Sequence, residues 1–415
     1  MARREVVITG LGIVSPIGTG VERFWSAALS GISGVGLATR FSCDSLPPPC
    51  RVVAEVRDFQ ADMWLPTVAL RRAGRFSQFA VAAARMALED SRVLEAQVRN
   101  ERVQVSVGTS MSGVVDIHEH SFSAFMRGEE VVPWTVLEFP AHAATSHIAI
   151  TAHARGRAMS VATACAAGLD AIALGAERIA CGEATVVVAG GCETPLSAYS
   201  LQAFYNVGVL AKWSGPPEAA CRPFERHRTG LVLGEGAAMV VLEDAEHARS
   251  RRAKVYARFL GSDSAAEGEH LRKVDLSGGV IADVFGSALR RSGLRPDDID
   301  YIAAHGNGMI DYDLAETAGI KRALGRHAYN VPISSLKAMC GQSLAASGAM
   351  QVVAACLSLR DQRVPPTINF QERDPECDLD YVPNRSRAAR IRNVLVHAHS
   401  MGGSHTAVVL GATGE

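Results

Sequence analysis

AMSVATACAAGLDAIALGAERIACGEATVVVAGG, residues 158–191, contains the pattern that decides the fold class. AMSVATA predicts a β-strand, the small apolar residues after Cys165 predict a helix that ends at Gly182, and ATVVVAGG predicts a second, buried strand. A strand, a helix and a strand in direct succession are typical of α/β layers. Cys165 stands at the corner between the first strand and the helix, which raises the question of what a thiol does there.

The rest of the chain extends the same alternation. REVVITG at residues 4–10 predicts a buried strand, and the helical spacing of apolar residues over 21–31 predicts a helix that stops at Gly31. Residues 41–70, with three consecutive prolines at 47–49, have the composition of a surface excursion, and residues 114–150 predict irregular helices and loops. The later predicted strands are DIDYIAAHG, VPISSL, NVLVHA and TAVVLG, and the later predicted helices are DYDLAETAGIKRAL and SLAASGAMQVVAACLSLRDQ.

A faint internal similarity links two of these helices. AAGLDAIALGAERIACG (166–182) and AASGAMQVVAACLSLRDQ (345–362) share a small-residue opening and a position after a strand. Two related halves would explain the similarity. Two buried helices that both need small residues for close packing would explain it equally well, and the composition favours neither interpretation.

Composition excludes several classes of protein. The 415 residues are 48% hydrophobic and carry a net charge of −1, and no basic stretch interleaves with aromatic residues, so we expect no nucleic-acid partner. No run of about 18 apolar residues occurs, and the first residues lack a signal-peptide core, so we expect no membrane span. Nine cysteines, an odd number without a CxxC pair, indicate a reduced, cytoplasmic protein.

Cys165 has a chemical interpretation and a structural one. At a helix N-terminus, free backbone N–H groups and the helix dipole favour an anion, so this position predicts a lowered pKa and a thiolate nucleophile. The small residues after Cys165 leave room for a substrate to approach. The alternative is a buried structural cysteine, which is the commonest environment of this residue type.

Two other predicted strand ends carry groups that a nucleophile needs as partners. His305 ends the strand IDYIAAH before a glycine-containing turn, and Lys337 follows the strand VPISS. A packed histidine and a solvated lysine are the simpler interpretations of each residue alone. Because ligand clefts form at strand ends in α/β sheets, Cys165, His305 and Lys337 together predict one catalytic site.

The blocks around these three residues resemble a known family, the β-ketoacyl-ACP synthases. The resemblance covers essentially the whole chain, in order and with family-like spacing, and six blocks carry it: VVITGLGIVSPIG (6–18), TACAAG (163–168), CRPFERHRTGLVLGEGAAMVVLE (221–243), AAHGNGMIDYDLAET (303–317), SSLKAMCGQSLAASG (334–348) and HSMGGSH (399–405).

This resemblance implies an α/β thiolase fold with two similar halves in a five-layer αβαβα arrangement, usually as a dimer. We place an N-terminal half carrying the nucleophilic cysteine at residues 1–253, and a C-terminal half carrying the His and Lys blocks at 254–415. Cys165 is expected to take an acyl group from an acyl carrier protein, whose phosphopantetheine arm enters a tunnel. Malonyl-carrier then loses CO2 and attacks the thioester as an enolate. No cofactor bound by the enzyme itself is expected.

Further roles follow from the resemblance alone. Backbone N–H groups of Cys165 and Met401 are expected to form the oxyanion hole, with Met401 and Gly402 beside the thiol as a gate. Lys337 is expected to pair with Glu316, which follows Asp313 in a capping-box arrangement, and that pair is expected to position the His305 loop.

The sequence departs from the family pattern at several of these positions. Gln342 stands where a second catalytic histidine is usual; its amide donates a hydrogen bond but transfers no proton. Asn307 and Met309 replace the threonines that usually bind the pantetheine amides, and His399 and Met401 replace phenylalanines. His399 either takes over part of a missing histidine's role or reshapes the acyl pocket. These changes indicate a specialised synthase, of polyketide or other secondary pathways.

Three functions remain open on the sequence. The first is a condensing β-ketoacyl synthase. The second is a cysteine-dependent acyltransferase that does not decarboxylate, which Gln342 favours. The third is a chain-length-factor-like partner subunit, which the presence of Cys165 disfavours; such a partner would form a heterodimer with a synthase, whereas a synthase alone would form a homodimer.

Two further site types receive little support. Gly10-Leu11-Gly12 follows the first strand but lacks the third glycine and the helix that a dinucleotide fingerprint requires. His118-Glu119-His120 and the His397/His399 pair carry metal-ligating side chains, yet neither has a second ligand cluster at zinc-like spacing, so no metal site is predicted.

Overall fold

In a computed structural model that describes residues 3–96 and 98–414, the two halves of the chain share one large mixed sheet of eleven strands. Five more strands among the described residues form two small sheets, of three and of two strands. In chain order the strands are β1 (Val6–Ser15), β2 (Gly18–Thr19), β3 (Val35–Leu37), β4 (Val52–Ala54), β5 (Val103–Gly108), β6 (Ala158–Val161), β7 (Val186–Glu193), β8 (Leu233–Gly234), β9 (Gly236–Asp244), β10 (Ala257–Ala266), β11 (Tyr301–Ala303), β12 (Ile333–Ser334), β13 (Arg363–Val364), β14 (Arg387–Ala388), β15 (Asn393–His399) and β16 (Ser404–Gly411).

The helices agree with the sequence prediction for the long amphipathic and small-residue segments. In chain order they are α1 (Val21–Ser30), α2 (Thr67–Leu70), α3 (Arg75–Ser91), α4 (Glu119–Met126), α5 (Thr135–Glu138), α6 (His142–Thr151), α7 (Ala167–Ala180), α8 (Ala198–Val207), α9 (Ala245–Ser250), α10 (Gly279–Ser292), α11 (Ile310–Leu324), α12 (Lys337–Cys340) and α13 (Ala345–Asp361).

The strand order repeats between the halves. The first half runs β1-β9-β7-β5-β6 and the second runs β10-β16-β15-β11-β12, and β1 pairs with β10 at the junction. In each half the first two pairings are antiparallel and the last two are parallel. The same order with the same strand directions in both halves identifies a structural repeat, so the interpretation as two related halves is confirmed.

Five layers result from how the helices cover this sheet. Helices α7 and α13 pack against each other and against strands of both halves, so they form the central layer. Helices α3 and α6 cover the outer face of the first half, and α10 and α11 cover the outer face of the second. The αβαβα arrangement expected from the sequence is therefore confirmed. The boundary at residue 253 falls between α9 and β10 and stays a prediction.

Glycines set the closest approaches between these layers. A Cβ on Gly168 of α7 would lie 2.2 Å from the Ala345 carbonyl oxygen of α13, so the central helices touch backbone to backbone. Gly10 and Gly12 lie inside β1, where a Cβ would meet the Ala87 and Ala83 carbonyl oxygens of α3 at 2.1 and 1.9 Å. These two glycines lie inside a strand and let α3 pack closely against it, whereas a dinucleotide fingerprint places its glycines in a strand-to-helix turn.

One organisational prediction is wrong. Residues 41–70 do not form a surface excursion, because Leu46, Cys50 and Val53 are buried in the apolar cluster that also contains Cys165. The irregular helices predicted over 114–150 are present as α4 to α6 and a π-helical turn at Val114–His118. Within the described ranges, none of the helices has the length and apolar character that crossing a membrane requires.

Candidate active site

The corner at Cys165 is a tight turn held from across the sheet. A 3-10 turn over Ala164–Ala166 leads into α7, and Ala164 adopts a positive φ of 52°, a strained conformation for a residue with a side chain. The Ser400 hydroxyl accepts the Ala166 N–H at 2.8 Å and donates to the Thr163 carbonyl at 2.7 Å. The β15–β16 hairpin therefore fixes the nucleophile turn.

The Cys165 thiol is buried, and its ionisation differs from the sequence prediction. Burial raises the pKa of Cys165 to about 11, although a hydrogen bond from the Gln342 amide, the charge of Lys337 and the Met401 N–H act in the opposite direction. The lowered pKa expected from the helix N-terminus is therefore wrong for the free protein, because desolvation of the thiolate outweighs the donors around it.

His305 is a neutral imidazole with a defined tautomer. The His399 backbone N–H donates to His305 Nδ1 at 3.2 Å, so the proton of the neutral ring lies on Nε2. Burial, followed by the Lys337 charge and neighbouring histidines, lowers the pKa of His305 well below its usual value. The Asn307 side-chain nitrogen lies 3.3 Å from Nε2, and because both nitrogens carry hydrogen in this tautomer, the contact is not a hydrogen bond. His305 can therefore offer an N–H to an oxygen in the cleft.

Glu316 and Lys337 hold the backbone of the His305 loop from two sides. Both Glu316 oxygens accept backbone N–H groups, of His305 and of Gly306, at 2.7 Å, and the carboxylate also contacts His397 Nδ1 at 2.5 Å. Lys337 Nζ donates to the His305 carbonyl oxygen at 2.5 Å. Burial lowers the pKa of Lys337 to about 8, while the Glu316 charge opposes that shift.

These hydrogen bonds correct the prediction that Lys337 pairs with Glu316. Among the described residues, the His397 ring contacts the Glu316 carboxylate, and Lys337 reaches the loop through a carbonyl oxygen. The capping box is also wrong: α11 begins at Ile310, so Asp313 lies inside the helix, where its carboxylate accepts the Phe224 N–H at 2.7 Å. Glu316 is free to accept backbone N–H groups because it does not cap its own helix.

Gln342 lies beside the thiol in a fixed orientation. Its Oε1 accepts the Ser347 hydroxyl at 3.3 Å, which leaves the amide nitrogen to donate to Cys165. The Gln342 backbone is also held, since its N–H donates to the Val232 carbonyl oxygen at 2.7 Å. Gln342 is thus a rigid neutral donor at the position where the resemblance implies a histidine.

A cluster of packed apolar side chains surrounds Cys165. Met309 and Met401 pack against it, both half-buried, and Gly402 adopts a φ of 96° with open space where a Cβ would stand. Asn307 lies behind Met309, whose N–H donates to the Asn307 side-chain oxygen at 2.9 Å. The other members of the cluster come from distant segments: Cys43, Leu46, Cys50, Leu196, Leu201, Phe204 and Leu344.

Sequence reasoning missed a carboxylate close to the thiol. Glu193 ends β7 and is buried, and its oxygens accept the backbone N–H groups of Ser110 and Met111 at 2.6 and 3.0 Å. Burial raises the pKa of Glu193 to about 7. The sequence feature that could have identified Glu193 is its position at a strand end, the same feature that singled out His305.

The histidines near the site gather more closely than their spacing indicates. His397, His399 and His405 form a stack next to His305, with 4.1 Å between the ring centroids of His399 and His405. Ligand atoms of Glu267, His399 and His405 all lie within 4.8 Å of one another. The fold thus brings two further metal-ligating groups next to His399, which the sequence spacing did not indicate. The His118 side chain lies outside the described residues.

Comparison with known proteins decides the family. The model of the beta-ketoacyl synthase N-terminal domain matches residues 3–248, and that of the C-terminal domain matches residues 256–371. The chain belongs to the beta-ketoacyl synthase family. This family member is 37% identical over 411 residues to the 3-oxoacyl-(acyl-carrier-protein) synthase 2 of Coxiella burnetii, with 99% of each chain covered.

Solved ketosynthases have the same fold. The ketosynthase of AntDE:AntF, a type II PKS acyl-carrier protein in complex with its ketosynthase bound to the hexaketide, superposes with a TM-score of 0.91 at 32% identity, covering 99% of this chain and 100% of that one. The ishigamide ketosynthase/chain length factor gives a TM-score of 0.92 at 32% identity and covers both chains fully. The thiolase fold expected for this family member is thereby confirmed.

Proposed function

We propose that this condensing enzyme is a 3-oxoacyl-ACP synthase that joins an acyl thioester to malonyl-ACP with loss of CO2, in polyketide or specialised fatty-acid biosynthesis. The observation that carries the proposal is the convergence of three groups at one site. Cys165 supplies a nucleophile, His305 supplies an N–H donor of fixed tautomer, and Lys337 holds the His305 loop from the third strand end. The similarity to the solved ketosynthases supports it.

In the first half-reaction Cys165 exchanges thioesters with the acyl carrier. The carrier thiol leaves with the proton that the Cys165 thiol gives up, so the exchange needs no net proton transfer to solvent. The Met401 N–H and the Gln342 amide already point at the sulfur, and both stabilise negative charge there. The backbone N–H groups of Met401 and Cys165 form the proposed oxyanion hole. The turn is open to the space beside Gly402.

In the second half-reaction malonyl-carrier replaces the acyl carrier and loses CO2. The enolate oxygen that forms would accept the Nε2–H of His305, which Glu316 and Lys337 hold in place through the loop backbone. The enolate carbon attacks the Cys165 thioester and releases the β-ketoacyl-carrier and a thiolate, which takes up one proton. Gln342 would stabilise the enolate by a neutral hydrogen bond.

The substrate carrier follows from this chemistry. We propose an acyl carrier protein as partner, with its phosphopantetheine arm as the only prosthetic group in the reaction and no cofactor resident in the enzyme. Asn307 and Met309 would line the arm's path beside His305. The reduced state of the nine cysteines, all free thiols in the described residues, fits a cytoplasmic location, which we also propose.

A dimer is part of the proposal. Strand β6 lies at the edge of the sheet, and its residues are exposed or half-exposed, so its free backbone groups offer a pairing surface. The neighbouring ketosynthase structures include one described as a ketosynthase/chain length factor. The partner would be either a second copy or a chain-length-factor-like subunit. The presence of Cys165 disfavours the role of such a subunit for this chain itself, because a non-catalytic subunit needs no nucleophile.

A second candidate function rests on Gln342. An acyltransferase that forms the Cys165 adduct without decarboxylating malonyl-carrier needs only the thiol and its donors, all of which are present. The neutral amide of Gln342 and the neutral ring of His305 provide no cation beside the carboxylate that must leave. This reaction would therefore end after the first half.

The test is intact-protein mass spectrometry of enzyme and carrier, first with acyl-carrier and then with malonyl-carrier. A condensing enzyme gives an acyl adduct and then β-ketoacyl-carrier; an acyltransferase keeps the adduct when malonyl-carrier is added. Cys165→Ala should abolish the adduct, whereas the matched control Cys181→Ala, which removes the exposed cysteine, should leave it unchanged. An adduct that persists in Cys165→Ala would overturn both candidate functions.

A further inference from the structure

The turn that carries Met401 is closed by two histidines that face each other. His399 ends β15 and His405 follows the start of β16, and the two residues are direct cross-strand partners. Side chains of directly opposed residues on one face of an antiparallel pair lie about 5 Å apart at Cβ. The hairpin therefore presents two imidazoles at one point, and Tyr312 stacks on the His399 ring at 4.3 Å and fixes its plane.

These imidazoles are buried with ring nitrogens that have no partner. Within the described part of the chain, neither nitrogen of His399 makes a hydrogen bond although this residue is 1% exposed, and of the buried His405 ring only Nε2, which faces Glu267, has a partner. Leaving a buried polar atom unpaired is unfavourable, and a bound water or ion is one way to satisfy it.

A carboxylate completes the set. Glu267 follows β10, which pairs with β16, and its Oε1 lies 2.9 Å from His405 Nε2. Its other oxygen accepts the Asp275 N–H at 3.2 Å, so the carboxylate is oriented from behind, as the ligands of metal sites are. The Glu267 side chain is 4% exposed, while the adjacent residues Gly268 and Glu269 are exposed, so the site lies just beneath the surface.

The geometry matches a divalent transition metal. Zinc bonds of about 2.1 Å place neighbouring ligand atoms about 3.0–3.4 Å apart, so the existing 2.9 Å contact needs almost no change. The three ligand atoms lie within 4.8 Å of one another, and closing that gap needs a side-chain movement of about 1 Å. Two histidines and one carboxylate form a known zinc ligand set that leaves a fourth position for water or an anion.

We propose that Glu267, His399 and His405 bind one divalent transition-metal ion, of the chemical class of Zn²⁺, at the base of the β15–β16 hairpin. The site is separate from the condensing reaction, since none of the proposed steps uses the ion. It lies next to that reaction, because the His399 backbone N–H sets the tautomer of His305 and the Met401 N–H points at Cys165. Occupancy would hold the turn between them in one conformation.

The experiment is a titration of the full-length chain, freed of metal by a chelator, with Zn²⁺ in a calorimeter and with Co²⁺ followed by its visible absorption. The wild-type protein should take up one ion per chain, and the Co²⁺ bands should indicate low coordination with nitrogen and oxygen ligands. In Glu267→Gln and His405→Gln the affinity should fall at least about tenfold. Zn²⁺ should also raise the unfolding temperature of the wild type but not of these variants.

Two controls separate this site from others. His247→Gln removes a histidine from another buried His–Glu contact, with Glu243, and should bind like the wild type. Cys165→Ala should also bind like the wild type, because the catalytic thiol is not a ligand. Absence of stoichiometric binding in the wild type, or equal binding in Glu267→Gln, would overturn the proposal, as would loss of binding in Cys165→Ala alone. If His405→Gln fails to fold by circular dichroism, the isosteric variant Glu267→Gln decides the outcome.

Discussion

Replacing Gly168 by alanine tests whether the contact between the central helices positions the nucleophile. Gly168 lies in the first turn of α7, three residues after Cys165, and its added Cβ would meet the Ala345 carbonyl oxygen at 2.2 Å. Real Cβ atoms essentially never approach other atoms closer than 3.0 Å, so the two helices must separate by about 0.8 Å, from 2.2 to 3.0 Å. Both partners are buried backbone, so no flexible side chain can absorb the displacement.

Two opposing effects set the magnitude. Alanine is favoured over glycine in a helix interior by about 1 kcal/mol, whereas overpacking a buried contact costs about 1–3 kcal/mol or more. Gly168→Ala is therefore expected to lose about 1–2 kcal/mol of unfolding free energy, since a rigid carbonyl places the cost at the upper end. Gly286→Ala in α10 is the matched control, because its Cβ would meet only the mobile end of Arg290, at 3.3 Å. That variant should gain up to about 1 kcal/mol.

The assays are calorimetric unfolding and the rate of Cys165 acylation. The unfolding temperature should fall by about 1–2 °C in Gly168→Ala and rise by up to about 1 °C in Gly286→Ala. A thiol displaced by close to 1 Å should acylate about 10- to 100-fold more slowly, while Gly286→Ala keeps the wild-type rate. If Gly168→Ala unfolds no earlier than the wild type and acylates at the same rate, the reasoning that links helix contact to nucleophile position is refuted.

The remaining predictions concern the groups around the thiol. Because burial raises the pKa of Cys165 to about 11, its thiolate fraction, and with it the rate of iodoacetamide alkylation, should increase about tenfold per pH unit between pH 7 and 9; a flat profile in mass spectrometry would contradict this. Gln342→Ala removes a donor that lowers that pKa, so alkylation at pH 8 should be slower than in the wild type, and an equal or faster rate would argue against the hydrogen bond. Glu316→Ala leaves two buried N–H groups of the His305 loop without an acceptor, so condensation should fall about 100-fold or more while Cys165 acylation changes little; equal loss of both steps would show that Glu316 does not act through His305. Ser400→Ala removes both bonds that hold the nucleophile turn and should cost about 1–3 kcal/mol in denaturant unfolding, and an unchanged midpoint would contradict that role.

The main secondary-structure elements follow from local sequence patterns. The helix over 21–31 ends at Gly31 in a left-handed conformation, as the glycine stop predicts, and β7, β15 and β16 are apolar runs that the sequence predicts as strands. The prediction for residues 41–70 was wrong because a turn-rich composition does not show which side chains are buried. Leu46 and Cys50 are buried by contacts with segments more than a hundred residues away, which no local window contains.

The site residues divide in the same way. Cys165, His305 and Lys337 were found because strand ends and a family resemblance mark them, and the structure brings them together. The partner of Glu316 was missed because it depends on where His397 lies in a strand 81 positions later in the chain. Glu193 was missed because its proximity to Cys165 is created by the packing of β7 beside the α7 turn.

The sequence by itself determined the alternation of strands and helices, the small residues that let α7 and α13 touch, and the identity of the nucleophile, because these depend on residue type and short-range spacing. Only the tertiary structure decided the ionisation of Cys165 and the convergence of Glu267 with His399 and His405. The physical reason is that desolvation and through-space contacts depend on which distant segments exclude water from a side chain. A thiol at a helix N-terminus has a low pKa in water and a high pKa in apolar surroundings, and in this fold Cys165 lies in apolar surroundings.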